Sequence, residues 1–422
     1  MTISMNMIQT TGFAVIMSAI GYWIQRHVSV LKRLSIPGPV IGGVLFAIIH
    51  TILRLSGILQ FDFDHTLQEF FQTLFFTTVG FTASVKMLRE SGIQASKMIL
   101  LTFVMIVIQN LVGAGMAHVV GINPLLGLLM GSSALVGGPG TTGAVAPSIA
   151  DLGFSSALTV GFAAATFGIA AGSILGGPTA TWIINHFHIK TGNDNLENGQ
   201  GDDYDGGEEY NDASEVADTI DPSNKNDLIS GNTIVKSFLL LLAVAFVGTY
   251  FTQFLNWALE HLVSGVTLPS YIGASLLAFI MRNIVDNHDS WEMPMDEINV
   301  LSDLVLEVFL SLALLNLQLW ELSNVGFGML VILFVQLVVM IGFSCFITFP
   351  FLGKSYNSVM MTTGFIGYGL GSSYNAVASM SEVTRQHGRS SRSAIIVPLV
   401  CSIFGDFINV MIIYTFIGWL SK

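Results

Sequence analysis

Two stretches of the 422-residue chain combine dense glycine with hydroxyl and carboxamide side chains. The first is Gly131-Ser132-Ser133-Ala134-Leu135-Val136-Gly137-Gly138-Pro139-Gly140-Thr141-Thr142-Gly143. The second is Thr362-Thr363-Gly364-Phe365-Ile366-Gly367-Tyr368-Gly369-Leu370-Gly371-Ser372-Ser373-Tyr374-Asn375. A glycine inside a helix costs up to about 1 kcal/mol relative to alanine, so both stretches are expected to be unwound, with main-chain amides and carbonyls uncovered. Amides at an opened helix start suit a carboxylate, whereas carbonyl oxygens and Ser or Thr hydroxyls suit sodium. The expected anion contacts are Gly137, Gly138, Gly140, Thr141 and Thr142, then Gly369, Gly371, Ser372, Ser373 and Asn375. The expected sodium contacts are Ser133 and Thr363, joined by Asp406 and Asn409, which stand three apart on one helix face, and by Asp303. Glu307 shares a face with Asp303. Close helix packing is the other use of such glycines, and it is the expectation for Gly168, Gly172 and Gly176, four apart.

The elements that position these residues follow from composition. The chain is 52% hydrophobic and 10% charged, against about 25% charged in an ordinary soluble domain. That excludes a water-soluble globule and predicts an all-α polytopic membrane protein. Apolar runs near the roughly 20 residues that cross a bilayer predict ten spans. They lie at about 5–24, 36–53, 67–85, 98–120, 154–184, 233–255, 267–281, 298–320, 325–351 and 393–420. The first run has no charged region before it and meets Arg26, Lys32 and Arg33 after it, the reverse of a cleaved signal peptide. Cys345 and Cys401 lie in apolar runs as small buried hydrophobes, and no disulfide is expected.

Twelve of the 28 acids and one base fall between Asn193 and Asp227, so most of the net charge of −12 belongs to one segment. Rich in Gly, Asn and Asp, it buries too little to offset its ordering entropy and reads as a disordered cytoplasmic linker over 191–230. It separates residues 1–190 from 231–422. If the two glycine-rich stretches dip in and return while ten spans cross, fourteen of the sixteen bases fall on the cytoplasmic side, leaving Arg54 and Lys422 outside. Both termini are then periplasmic. The halves also resemble each other: Ser156-Ala157 with Phe167-Gly168 matches Ser393-Ala394 with Phe404-Gly405, and Pro39-Val40-Ile41-Gly42 finds a weaker match in Ser270-Tyr271-Ile272-Gly273. Five spans per half inserts the second upside down. Two inverted five-helix repeats, each with a Gly-rich re-entrant hairpin, are the pattern of a secondary transporter.

No Lys or Arg falls at the centre of a predicted span, so a bound carboxylate would be neutralised by amides, hydroxyls and co-transported cations. No HExxH, P-loop or GxSxG is present, so an enzyme is not expected. Neither a resident cofactor nor a nucleic-acid partner is expected; sodium is a co-transported substrate. A carrier using protons through Asp406, or moving another organic anion, is the first alternative. A channel with a glycine-rich filter is the second.

The chain resembles the bacterial sodium/glutamate symporter family along both halves. The resemblance rests on Gly137-Gly138-Pro139-Gly140-Thr141, Gly367-Tyr368-Gly369-Leu370-Gly371 with Asn375-Ala376, Ala165-Thr166-Phe167-Gly168, and Asp406 with Asn409. It implies sodium-coupled uptake of L-glutamate across the bacterial inner membrane by a homodimer, with a mobile domain carrying the hairpins past a fixed scaffold. The choice of glutamate over another dicarboxylate comes from the resemblance alone. Pro139 stands where the family commonly has histidine; it supplies neither an amide donor nor a titratable group.

Overall fold

A computed structural model describes residues 2–28, 31, 36–86, 92–191, 231–262, 268–287, 293–371, 373–388, 397 and 404–421. The acidic segment, Ser372 and Cys401 lie outside these residues. Helix α1 spans Met7–His27, α2 Gly38–Leu55, α3 Thr66–Thr82 and α4 Gly92–Val119. Three short pieces follow, α5 (Pro124–Leu129), α6 (Ser132–Leu135) and α7 (Gly138–Ala150), then the long α8 (Ala157–Phe187). Beyond the acidic segment come α9 (Gly231–Leu262), α10 (Ser270–Val285), α11 (Met295–Leu314) and α12 (Gly326–Phe343). A π-type turn, Ser344–Thr348, carries α12 on to Phe351. The last helices are α13 (Tyr356–Leu370), α14 (Ser373–His387) and α15 (Asp406–Leu420).

Six helices among the described residues are long and apolar enough to cross a membrane: Met7–His27, Gly38–Leu55, Ile93–Val119, Ala157–Phe187, Gly231–Ala258 and Gly326–Phe351. Three of the other expected spans fall short by that measure, and the first part of the fourth, 393–420, lies largely outside the described residues, which hold its helix Asp406–Leu420. Helices α3 and α10 have 17 and 16 residues, below the roughly 20 that a perpendicular span needs. Helix α11 has 20 residues but carries Asp296, Glu297, Asp303 and Glu307. The structure also adds one non-helical element. Residues Thr2–Met5 (β1) pair in parallel with Gln60–Phe63 (β2), with Thr2 opposite Gln60 and Met5 opposite Phe63. Phe13 stacks on Phe61 and Phe63 of β2, Phe46 meets all three edge-on, and the Arg54 guanidinium lies 4.1 Å above the Trp320 ring. At the same end the Thr66 hydroxyl and amide hydrogen-bond the Asp64 carboxylate, holding it below the usual carboxylate range.

The helices sort into two packed groups. In one, α1 lies along α2, α9 along α10, and both α10 and α11 against α3. Gly42 sits directly on the Met17 carbonyl, and Gly273 on the Gly248 carbonyl and the Thr252 side chain, so each pair closes where a side chain would not fit. These two glycines are the ones aligned between the halves of the sequence. In the other group α8 packs against α7, α13 and α14, with α4 against α5 and α12, and α15 against α4 and α5. Hydrogen bonds that cross between the groups include Gln72 Nε2 to the Ala144 carbonyl (3.4 Å) and the Tyr271 hydroxyl to that of Tyr414 (2.8 Å).

The halves differ in how glycine acts. Unwinding was expected through both glycine-rich stretches, but α13 remains helical through Gly364, Gly367 and Gly369 as far as Leu370. The reason is burial. A Cβ at Gly364 would press on Met380, at Gly367 on the Asn375 main chain and at Gly369 on Met340, so these glycines admit close neighbours whose packing offsets their poor helix propensity.

Candidate functional site

The first broken stretch begins at Asn123, whose side chain accepts the Leu125 amide at 2.9 Å, with Pro124 in the first helical position where a missing N–H costs nothing. Helix α5 stops at Leu129 and the chain opens at Gly131 (φ −100°, ψ −139°). After the single turn α6, Gly138 adopts φ +58°, a left-handed conformation that favours glycine, and α7 begins. Ser132 is the hub of this break. Its carbonyl accepts from the Val136 and Gly137 amides and from Asn409 Nδ2, each at 3.0 Å. Its hydroxyl accepts from Asn110 Nδ2 at 2.7 Å, and the Thr142 hydroxyl donates to the neighbouring Ser133 carbonyl at 3.2 Å.

The second broken stretch is α13, capped at its start by Ser355 and ended at Gly371, followed by α14. Asn375 of α14 donates its Nδ2 to the Ile169 carbonyl of α8 at 2.8 Å. The two breaks touch: a Cβ on Gly138 would stand 3.1 Å from the Gly371 carbonyl oxygen. Helix α8 is fitted to both by its small residues. Gly168 lies on the Leu370 carbonyl and on Leu135, Gly172 on the Asn375 side chain, and Gly176 on Ser379. The packing role expected for these three is what the geometry shows.

Around the breaks the described residues include five fully buried carboxamides, those of Gln109, Asn110, Gln336, Asn375 and Asn409. Each spends an N–H on a main-chain carbonyl: of Gly369, Ile106, Gln109, Ile169 and Ser132, respectively. Rotating any of them by 180° would set oxygen against oxygen, so their orientation is fixed by the main chain. Among the described residues, all five carboxamide oxygens and the Ser133 hydroxyl are left without a hydrogen-bond partner. Orphaned buried acceptors are rare and each requires an explanation. Groups that accept but have no donor beside them are suited to a cation with oxygen ligands.

A family model described as the sodium/glutamate symporter matches residues 3–389. The chain belongs to the sodium/glutamate symporter family. It is 31% identical over 411 residues to a sodium/glutamate symporter of Haemophilus influenzae, covering 97% of this chain and 96% of that one. To a sodium/glutamate symporter of Escherichia coli it is 30% identical over 395 residues, covering 93% of each. Among solved structures, the sodium proton antiporter MjNhaP1 of Methanocaldococcus jannaschii covers 99% of each chain at 14% identity, with a TM-score of 0.43. A likeness that low does not bear on the fold. Sodium/glutamate symporters are transporters, so this member is not an enzyme.

Within this symporter the expected site residues separate. Ser133, Gly137, Thr141, Thr142 and Asn409 meet at the first break, where a Cβ on Gly137 would stand 2.8 Å from Asn409 Nδ2. Gly138 meets Gly371 across the two breaks, Asn375 sits beside Gly371, and Gly140 faces Leu306 of α11 and Phe75 of α3. Gly369 receives Gln109 on its carbonyl. Ser372 lies outside the described residues, and so does the side chain of Ser373. Thr363 turns its hydroxyl to the Val359 carbonyl of its own helix at 2.8 Å. Asp406, expected midway along its span, opens the described part of α15, with the Tyr368 hydroxyl on its carboxyl. Asp303 is exposed on α11, while Glu307 accepts from the Ser18 and Tyr22 hydroxyls of α1 at 2.8 and 2.7 Å. Gln109, Asn110 and Gln336 were not anticipated. Their signal was present as carboxamides in the middle of apolar spans, a placement as costly without partners as it is uncommon.

Proposed function

We propose that this symporter couples the uptake of L-glutamate to the entry of sodium across the bacterial inner membrane, binding both where the two chain breaks meet. The observation that carries this reading, in a member of this family, is the contact between Gly138 and Gly371, with buried carboxamides on both breaks whose oxygens lack donors among the described residues. The amino-terminal end of α7, with the amides of Gly138 and Gly140 and the Thr141 hydroxyl, takes the substrate carboxylate, because N–H groups at a helix start and the helix dipole favour negative charge there. Asn110, Ser133 and Asn409 offer oxygen to one sodium at the first break, and Asp406 brings a negative charge three residues before Asn409 on α15. Sodium beside a carboxylate stabilises it in a low-dielectric pocket, so each ligand raises the affinity of the other. Moving one elementary charge through 100 mV is worth about 2.3 kcal/mol, so more than one sodium per glutamate anion lets the membrane potential drive uptake.

The wider arrangement completes the proposal. The chain crosses the bilayer ten times as two inverted five-helix repeats, with the broken stretches as re-entrant hairpins, both termini periplasmic and the acidic linker cytoplasmic. The paired glycine seams of α1 with α2 and of α9 with α10 support the repeat. The group of α4–α8 and α12–α15 slides as one body against the group of α1–α3 and α9–α11, which forms the homodimer scaffold. What supports sliding is that packing sorts the helices into these groups, with polar ties such as Tyr271–Tyr414 to be broken and remade between them.

Uptake of radiolabelled L-glutamate into proteoliposomes tests the function. An inward sodium gradient is expected to drive accumulation above the external concentration. Replacing sodium by choline at fixed pH is expected to abolish it. Full uptake in choline would reject sodium coupling in favour of protons, and non-saturating flux without accumulation would indicate a channel.

A further inference from the structure

Helix α4 carries two carboxamides in succession, and each grips a different chain break. Asn110 holds Ser132 of the first break, whereas Gln109 donates its Nε2 to the Gly369 carbonyl of the second at 2.7 Å. Consecutive residues point about 100° apart around a helix, so the two side chains serve separate places. From the opposite side, Gln336 of α12 donates its Nε2 to the Gln109 main-chain carbonyl at 2.7 Å. One turn further along α12, Met340 lies against Gly369, so this face of α12, Gln109 and the second break share one neighbourhood. Gln109 and Gln336 are both 0% exposed, and both Oε1 atoms lack a partner among the described residues. Their amide orientations are forced, since a flip would face each oxygen with a carbonyl oxygen.

Two unpaired neutral oxygens beside the carbonyls of Gly369 and Gln109 are hard ligands without a competing charge, the kind with which membrane proteins replace the hydration shell of an alkali cation. We infer that Gln109 and Gln336 form a second sodium seat at the second break, distinct from that of Asn110, Ser133 and Asn409 at the first, so that each glutamate is carried with at least two sodium ions. This inference rests on the transport reading above and adds the place and the number of the cations. A bridging water is the competing occupant, since it too can satisfy buried acceptors.

The test is the sodium dependence of glutamate uptake at saturating glutamate, together with the sodium-induced rise in melting temperature of the purified protein without glutamate. The wild type is expected to show sigmoidal activation with a Hill coefficient above one. Gln336→Leu and Gln109→Leu are expected to give hyperbolic activation, and a smaller sodium-induced shift in melting temperature. Gln336→Glu, which keeps an oxygen and adds charge, is expected to lower the half-activating sodium concentration several-fold, and it decides the matter if the leucine variants do not fold. A wild-type Hill coefficient of one, unchanged steepness in the leucine variants, or no downward shift in Gln336→Glu would overturn the second seat and assign the space to water. Wild-type uptake indifferent to sodium would instead defeat the transport reading itself.

Discussion

Gly168→Val is expected to reduce sodium-driven glutamate uptake by at least tenfold and to lower the melting temperature of the purified protein. Gly168 of α8 lies directly on the Leu370 carbonyl, the last residue of α13, and a Cβ there would also stand 2.9 Å from Leu135 Cδ2 of α6. One side chain at this position therefore presses on both broken stretches. The carbonyl belongs to the main chain, so relief requires α8 to back away from α13. Overpacking of this kind costs roughly 1–3 kcal/mol, and about 1.4 kcal/mol is already a factor of ten in an equilibrium. The contrast is Gly115 of α4, which has nothing within 4 Å of its Cβ position. Gly115→Ala is expected to leave uptake unchanged and the protein at least as stable, because alanine is the better helix former by up to about 1 kcal/mol. Equal loss in both variants would remove the argument that Gly168 is needed for contact.

Asp406→Asn is expected to raise the sodium concentration needed for half-maximal uptake by tenfold or more while the protein remains folded. Asp406 opens α15 three residues before Asn409, whose carboxamide ties that helix to Ser132. Asparagine is nearly the same size, so the packing of α15 and the Asn409–Ser132 bond are retained. The charge is lost. At about 4 Å and an effective dielectric near 20, two unit charges interact by about 4 kcal/mol, an upper bound on the loss that leaves ample room for a tenfold change. Sodium titrations of uptake at saturating glutamate check this, with circular dichroism on the same preparation to confirm folding. A sodium titration identical to wild type would take Asp406 out of the cation site.

The parts of this protein that depend on composition were readable along the chain. Long apolar runs located α1, α2, α4, α8, α9 and α12, and the break at Gly131–Gly138 followed from glycine, serine and proline placed where a helix cannot be continuous. The four-residue spacing of Gly168, Gly172 and Gly176 marked a packing seam because small residues on one face have few other uses in a bilayer. Tertiary contact overrode local propensity at α13, where Gly364, Gly367 and Gly369 stay helical under close neighbours. The same gap explains the missed carboxamides. Charge within a span marks Asp303, which is exposed, whereas Gln109, Asn110 and Gln336 carry no charge and depend on hydrogen-bond partners 22 to 260 residues away that no local pattern reveals. Glu307 likewise takes its hydrogen bonds from Ser18 and Tyr22, nearly 300 residues earlier, which its spacing from Asp303 does not show. The β1–β2 pair escaped for a related reason, since four residues at each of two distant places carry too little alternation to read as strands.

The claim on which the account turns is that the meeting point of the two chain breaks is where cargo binds. An electron cryomicroscopy map of the protein in lipid nanodiscs with sodium and L-glutamate tests it most directly. The account predicts density for the amino acid bounded by Gly137–Thr142 on one side and by Gly369–Asn375 on the other, with cation density against the Asn409 carboxamide. Glutamate seated away from both breaks, with the Gly138–Gly371 contact closed and empty, would contradict it.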